Sequence, residues 1–324
     1  MPVSEPGDPA LAAIGEFGVV SRITARLPQG PGVLLGPGDD AAVVAAPDGR
    51  VVGTVDVMVE GRHFRRDWSG GYDVGRRAAA ASLADVVAMG ARPTALLVAF
   101  TAPGDLEPAW AMALADGLRD EAALVGASVV GGDVSEADAI TVSVTALGDL
   151  AGAPPVTRTG ARPGDHVVVV GRLGWAAAGL ALLRAGQAAH PLADAHRRPE
   201  VDYDAVRRLR EQATVTAMID VSDGLLADLT HVAEASGVAI SLHAQRLAVA
   251  PEVAAAAEEL QADPVLWVAT GGDDHAFALT VRGQVPAGVV AVGEVTTADG
   301  AGPRVSFADR ETPEIGGHEH FTVS

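Results

Sequence analysis

Four short glycine-rich turns ending in aspartate punctuate this chain: GPGDD at 36–40, GGD at 131–133, DVSDG at 220–224 and GGDD at 271–274. Each stands beside a short apolar run. The chain must therefore fold from short strands and helices whose ends carry acids. Ionised neighbours repel, so acidic turns of this kind are costly unless cations or hydrogen bonds offset them. The basic residues sharpen the point. There are 23 and every one is arginine. The P-loop and the protein kinases both need a lysine on the nucleotide phosphates, so neither plan is open here. Any handling of nucleotide phosphates must rest on Mg²⁺ and arginine.

A length of 324 residues predicts two domains, since single cores stop growing near ~250–300 residues. Apolar residues make up 48% and aromatics only 4%, which suits tightly packed layers of Ala, Val, Leu and Gly. A net charge of −19 repels nucleic acid and anionic membrane, so neither is an expected partner. The absence of cysteine excludes disulfides, thiolate nucleophiles and Cys-type zinc sites. The first residues lack a basic start followed by a long apolar run, and no uninterrupted apolar stretch reaches ~18 residues. These features predict a soluble, cytoplasmic chain.

Periodicity predicts helices over 11–27, 74–89, 106–125, 174–185, 223–235 and 251–260. It predicts strands over 41–46, 51–55, 94–100, 140–147, 166–170, 215–219, 238–242, 275–281 and 289–295, and a hairpin tip at 298–303. Asp105 and Ser222 read as helix N-caps, and 187–201 as a loop. The stretch 149–165 is rich in Gly and Pro and aperiodic. It divides the chain into domains 1–150 and 151–324. Strands and helices mix without strict alternation, which favours α+β.

Taken singly, each acid has an ordinary structural reading. Asp39 and Asp40 suit a solvated turn. Asp56 ends a strand, where ligand-binding loops are common. Asp85 lies in the Ala-rich run ASLADVVAMGA and, by itself, reads as a solvent-facing helix position. Asp133 follows an apolar strand at a flexible Gly-Gly corner that lets backbone approach a phosphate. In DVSDG, Asp220 closes a strand and Ser222 and Asp223 open a helix, whose exposed N-terminus favours anions. Asp273 and Asp274 repeat the theme. Together they point to Mg²⁺, which takes one or two carboxylates plus water and phosphate oxygens. GRLGWAAAG at 171–179 is G-x-x-G, not the dinucleotide fingerprint. The histidines show no HExxH spacing, no G-x-S-x-G elbow is present, and Arg162 reads as a surface residue.

Seven segments in order, GPGDDAAVV, TVDVMVEGRHF, SLADVVAMGARP, GGD, TRTGARPGD, AMIDVSDGLLADL and GGDDHA, give the chain a specific resemblance. It resembles the thiamine-monophosphate kinase family, within the superfamily that includes aminoimidazole ribonucleotide synthetase. The resemblance implies a two-domain α+β fold: an N-terminal α/β sandwich domain that binds ATP and metal and dimerises through its sheet, and a C-terminal α+β domain that completes the cleft. It implies ATP-dependent phosphorylation of thiamine monophosphate to thiamine diphosphate by a homodimer. Several Mg²⁺ ions would assist direct in-line transfer, without a covalent intermediate or a catalytic side chain. Asp39, Thr54, Asp56, Asp85, Asp133, Asp220 and Asp223 match metal-binding positions. Gly132, Asp133, Arg158 and Ser222 match ATP contacts. His63 and Asp273 match substrate contacts, and Phe321 is offered as an aromatic one. The chain departs from the family pattern at Val55, where a hydroxyl is usual, at Asp273, where Glu is usual, and at Ile315, where an aromatic often packs on the substrate ring. Two alternatives stay open: another ATP-using superfamily member such as aminoimidazole ribonucleotide synthetase, and a non-catalytic Mg-nucleotide sensor. Members that depend on reactive cysteine lose support.

Overall fold

The structure is a computed structural model and describes residues 11–37 and 41–313. It is α+β and folds as two units, one of residues 1–86 with 91–153, the other of 87–90 with 154–324.

The first unit begins with the short helices α1 (Leu11–Ile14) and α2 (Glu16–Thr24) and the two-stranded pair β1 (Val33–Leu35) and β2 (Val43–Val44). The single helix expected over 11–27 is broken at Gly15, whose positive φ starts α2 afresh. Then follow β3 (Val52–Val59), α3 (Gly71–Ala88), β4 (Arg92–Ala102), α4 (Pro108–Leu124), β5 (Ser128–Glu136) and β6 (Thr141–Asp149). Helix α4 opens at Pro108 with Glu107 as its N-cap rather than Asp105, because Pro sets the first helical φ and needs no donor.

Strands β3 to β6 form one sheet in the order β3-β6-β4-β5, with β4 and β5 parallel and the other pairs antiparallel. The Ala-rich α3 is buried along most of its length, and Arg76 to Glu121 (2.6 Å) and Tyr72 to Asp120 (3.0 Å) tie it to α4. The opposite face of the sheet is apolar and exposed: Val55 is 60% exposed, Val57 48% and Leu97 37%.

The second unit contains β7 (His166–Val170), α5 (Trp175–Arg184), α6 (Ala193–Arg197), α7 (Tyr203–Gln212), β8 (Thr214–Val221), α8 (Leu225–Ser236), β9 (Val238–Leu242), α9 (Pro251–Glu259), α10 (Pro264–Thr270), β10 (Ala276–Arg282), β11 (Ala291–Thr297) and β12 (Arg304–Phe307). Six strands form a sheet in the order β12-β9-β11-β7-β10-β8. Its core packs Ile219, Ile240, Leu242 and Phe307 with Leu225, Leu226 and Leu229 of α8. Helix α6 lies inside the expected loop 187–201. The hairpin tip expected at 298–303 is present as one tight turn, where Asp299 and Gly302 pair in an antiparallel bridge, but the flanking strands do not pair: β12 runs parallel to β9. Among the described residues, no helix is long and apolar enough to cross a membrane.

Candidate active site

In the first unit, period-2 alternation along β3 sends Thr54 and Asp56 to the face covered by α3 and Val55 and Val57 to the open face. Thr54 Oγ1 donates to Asp85 Oδ2 at 2.7 Å, and Ser82 Oγ donates to Asp56 Oδ2 at 2.9 Å. Asp85 is thus not the solvent-facing helix residue its local sequence suggests. Its carboxylate turns inward onto β3, where a hydroxyl meets it. Ser82, one turn earlier, plays the same part for Asp56, and no sequence signal singles it out. Val55 points away from this group, so the missing family hydroxyl lies on the other face.

Gly132 and Asp133 lie within strand β5, just after an irregularity in its ladder with β4, not at a corner. Gly132 is opposite Val98 in the parallel ladder, and a Cβ there would stand 1.9 Å from the Val98 carbonyl oxygen. The close strand approach, rather than a flexible turn, demands glycine. The register aligns Val57, Ser143, Ala99 and Asp133 across the sheet. Asp133 therefore shares the open face with Val57, whereas Asp56 faces α3, and it lies on the opposite edge, three strand spacings or ~14 Å away. Gly132 and Asp133 line an apolar cavity of about 700 Å³, whose wall includes Gly36, Pro37, Ala41 and Ala42. These four flank the first acidic turn; Asp39 itself lies outside the described residues. His63, in the turn after β3, accepts the Val59 amide on Nδ1 at 2.9 Å, which places the proton of its neutral ring on Nε2.

In the second unit the acids of DVSDG and GGDD come together. Asp220 is buried at the end of β8, beside Phe277 of β10 in register. The 271–275 loop folds back over the same end: the Asp273 amide donates to the Ser222 carbonyl (2.8 Å) and the His275 amide to the Val221 carbonyl (3.0 Å). Gly272 has no room for a side chain, since a Cβ would lie 2.2 Å from the Ser222 oxygen. Asp273 and His275 hold left-handed backbone (φ 64° and 50°), a conformation costing on the order of 1 kcal/mol for a non-glycine residue. Such strain persists only where surrounding contacts over-determine it.

Helix α8 starts at Leu225 with Gly224 as N-cap, so Ser222 is not the cap expected from sequence. The first-turn residue Asp228 supplies what the cap lacks: its Oδ2 accepts the Asp223 (3.0 Å) and Gly224 (3.1 Å) amides. Ser222 and Asp223 stay exposed. Asp274 is buried and is a cap in trans, accepting the Gly174 (2.5 Å) and Ala176 (2.7 Å) amides at the start of α5. That occupancy leaves GRLGW no free helix terminus for a phosphate. Arg158 is exposed at a short 3₁₀ turn, where its carbonyl accepts from Ser236. Phe321 and Ile315 lie outside the described residues. The roles of Asp228, Asp274 and His275 carry no sequence signal of their own, although all three sit inside the motifs of the family resemblance.

Burial pushes the Asp228 carboxyl up to about 7, and the Asp220 and Asp223 charges add to the effect. Burial likewise pushes Asp274 up to about 7, with Asp273 contributing. A carboxyl raised in the fold keeps a proton that the unfolded chain has lost. Its stabilising share is full below ~4 and falls as pH rises toward 7, at ~1.4 kcal/mol per pH unit. Asp228→Asn keeps one oxygen for both amides and cannot ionise. In urea melts in metal-free buffer, the variant should gain on the wild type by a few kcal/mol between pH 4 and pH 8. A pH-independent difference would remove the assignment.

With Asp56 and Asp85 met by hydroxyls on one face of the first sheet, Asp220 closing β8 and no thiol in the chain, the protein matches a set of known proteins. The AIR synthase related protein N-terminal domain family matches residues 38–150 and its C-terminal domain family residues 162–300. The thiamine-monophosphate kinase of Mycobacterium tuberculosis (strain CDC 1551 / Oshkosh) is 49% identical over 290 residues, 89% of this chain and 86% of that protein. The chain belongs to the thiamine-monophosphate kinase family. The Corynebacterium glutamicum family member is 38% identical over 297 residues, 89% of this chain and 88% of its own. A solved structure of AaThiL complexed with AMPPCP and TMP superimposes with a TM-score of 0.76 at 30% identity, covering 96% of this chain and 98% of that one. The hydrogenase maturation protein HypE, at 19% identity and a TM-score of 0.73, shares the fold alone.

Proposed function

We propose that this thiamine-monophosphate kinase family member transfers the γ-phosphoryl group of ATP directly to the phosphate of thiamine monophosphate, giving thiamine diphosphate. The observation that supports the reading is the folding of the 271–275 loop over the end of β8, which brings the Asp273 backbone onto Ser222, between Asp220 and Asp223 in sequence, within a chain 49% identical to a named kinase. Both reactants are anions and repel each other. The acceptor is a phosphate oxygen already ionised near neutral pH, so no general base is required. Catalysis then reduces to positioning and charge neutralisation.

The donor set suits Mg²⁺. It offers hard oxygen ligands and no thiol. Among the described residues, no three His, Asp or Glu side chains are grouped closely enough to cage an ion by themselves. Mg²⁺ asks for less, one or two carboxylates with water and phosphate completing the shell. Asp39, Thr54, Asp56, Asp85, Asp133, Asp220 and Asp223 are the proposed ligands. Mg²⁺ held by these residues would supply charge neutralisation to the phosphates. Gly132, Asp133, Arg158 and Ser222 are proposed to hold ATP. His63 and Asp273 are proposed to meet the thiamine phosphate, with Phe321 against its ring. Domain 1–150 would carry ATP, metal and dimer contacts, and 151–324 would complete the cleft. The reading implies a cytoplasmic enzyme.

We further propose a homodimer closed through the open sheet face. Val55, Val57 and Leu97 make that face apolar. A two-fold axis parallel to the strands keeps residues at their level and exchanges edges. It brings the Asp133 edge of the partner subunit over β3, on the sheet face opposite the one that carries Asp56.

The direct test incubates the protein with ATP, Mg²⁺ and thiamine monophosphate and follows products by chromatography. Thiamine diphosphate and ADP should appear in equal amounts, with no label retained on protein from γ-labelled ATP. Binding of Mg-ATP without turnover would instead identify a nucleotide sensor.

A further inference from the structure

In the second unit, buried His275 touches the proposed metal ligand Asp220 from behind. Its Nδ1 lies 3.2 Å from Asp220 Oδ2, and both side chains are only 6% exposed. An ionised carboxylate can only accept, so the shared proton is on Nδ1. The bond immobilises one Asp220 oxygen and leaves the other to a cation.

The backbone is built to deliver this contact. His275 holds a left-handed φ of 50°, and its amide is fastened to Val221, the neighbour of Asp220. Asp274, one residue earlier, is locked into the start of α5. The imidazole therefore has little freedom to leave Asp220. Partners behind a ligating carboxylate fix its direction, and their loss commonly weakens metal binding ~10- to 100-fold.

We propose that His275 is a positioning residue, orienting the Asp220 carboxylate for a divalent cation. This rests on the reading of Asp220 as a cation ligand, and the experiment separates the two. Mn²⁺, added alone, is titrated into wild-type protein and variants while free Mn²⁺ is read by electron paramagnetic resonance. H275N places an amide N–H where Nδ1 stands and suits left-handed backbone, so its Mn²⁺ affinity should stay close to wild type. H275F keeps the ring and H275L the shape of Asn, but both lack the donor. Thermal melts select those that fold, and each folded one should bind Mn²⁺ ~10- to 100-fold more weakly. D220N should lose the site outright. A merely structural histidine predicts another order, with H275F at least as good as H275N. If D220N loses the site while H275F and H275L bind like wild type, or H275N binds as weakly as they do, the positioning role is overturned alone. If D220N binds like wild type, the ligand assignment falls and the positioning role with it.

Discussion

A heterodimer assembled from one Asp56→Asn subunit and one Asp133→Asn subunit should work at about half the wild-type rate, although neither homodimer turns over. The expectation follows from the sheet. Asp56 and Asp133 stand on opposite edges and opposite faces of one sheet, so a single copy holds them apart. If each active centre draws Asp56 from one copy and Asp133 from the other, the heterodimer puts both lesions in one centre and leaves the second intact. If both acids came from the same copy, every centre would carry one lesion. Co-expression with two affinity tags, and selection on both, isolates the mixed species. Its rate with ATP, Mg²⁺ and thiamine monophosphate decides; a dead heterodimer would sink the shared-centre arrangement. The homodimers also serve as controls, because loss of charge on either edge leaves the apolar face, and hence association, in place.

The second large effect is expected from Asp220→Asn. The amide has the size of the carboxylate and its oxygen still accepts from His275, so the fold and melting temperature should be retained. What is lost is a full negative charge at the end of β8, where the reacting phosphates are proposed to meet. Removing one element of such preorganised electrostatics typically costs ~10²–10³ in kcat, and loss of an ion with it costs more. Steady-state rates at saturating ATP and Mg²⁺, beside circular dichroism melts, give both halves of the answer. A kcat for D220N within a few-fold of wild type would contradict the proposed role.

Much of the chain's plan is legible in its sequence. His166–Val170 and Val238–Leu242 are the strands that periodicity predicts, and β8 carries Asp220 near its end as expected. Sequence misleads where a tertiary partner decides. Two adjacent glycines usually signal a break, yet Gly131-Gly132 continues a strand because the Val98 backbone passes too close for any side chain. Asp85 carries no local mark of its direction; only Thr54, distant in sequence, shows that it faces inward. Ser222 has the right residue type for a cap, but Asp228 takes the amides from inside the helix. Helices α7 and α10 escape periodicity, one because its charged face masks a narrow apolar stripe, the other because it spans only seven residues.

The loop that carries Asp273 is moored at three points: to Ser222, to Val221 and, through Asp274, to the first turn of α5. A segment so tethered is set before any reactant arrives. On the proposed role of Asp273, thiamine monophosphate then meets a surface already in place. Whatever gating turnover requires must be assigned to other parts of the chain.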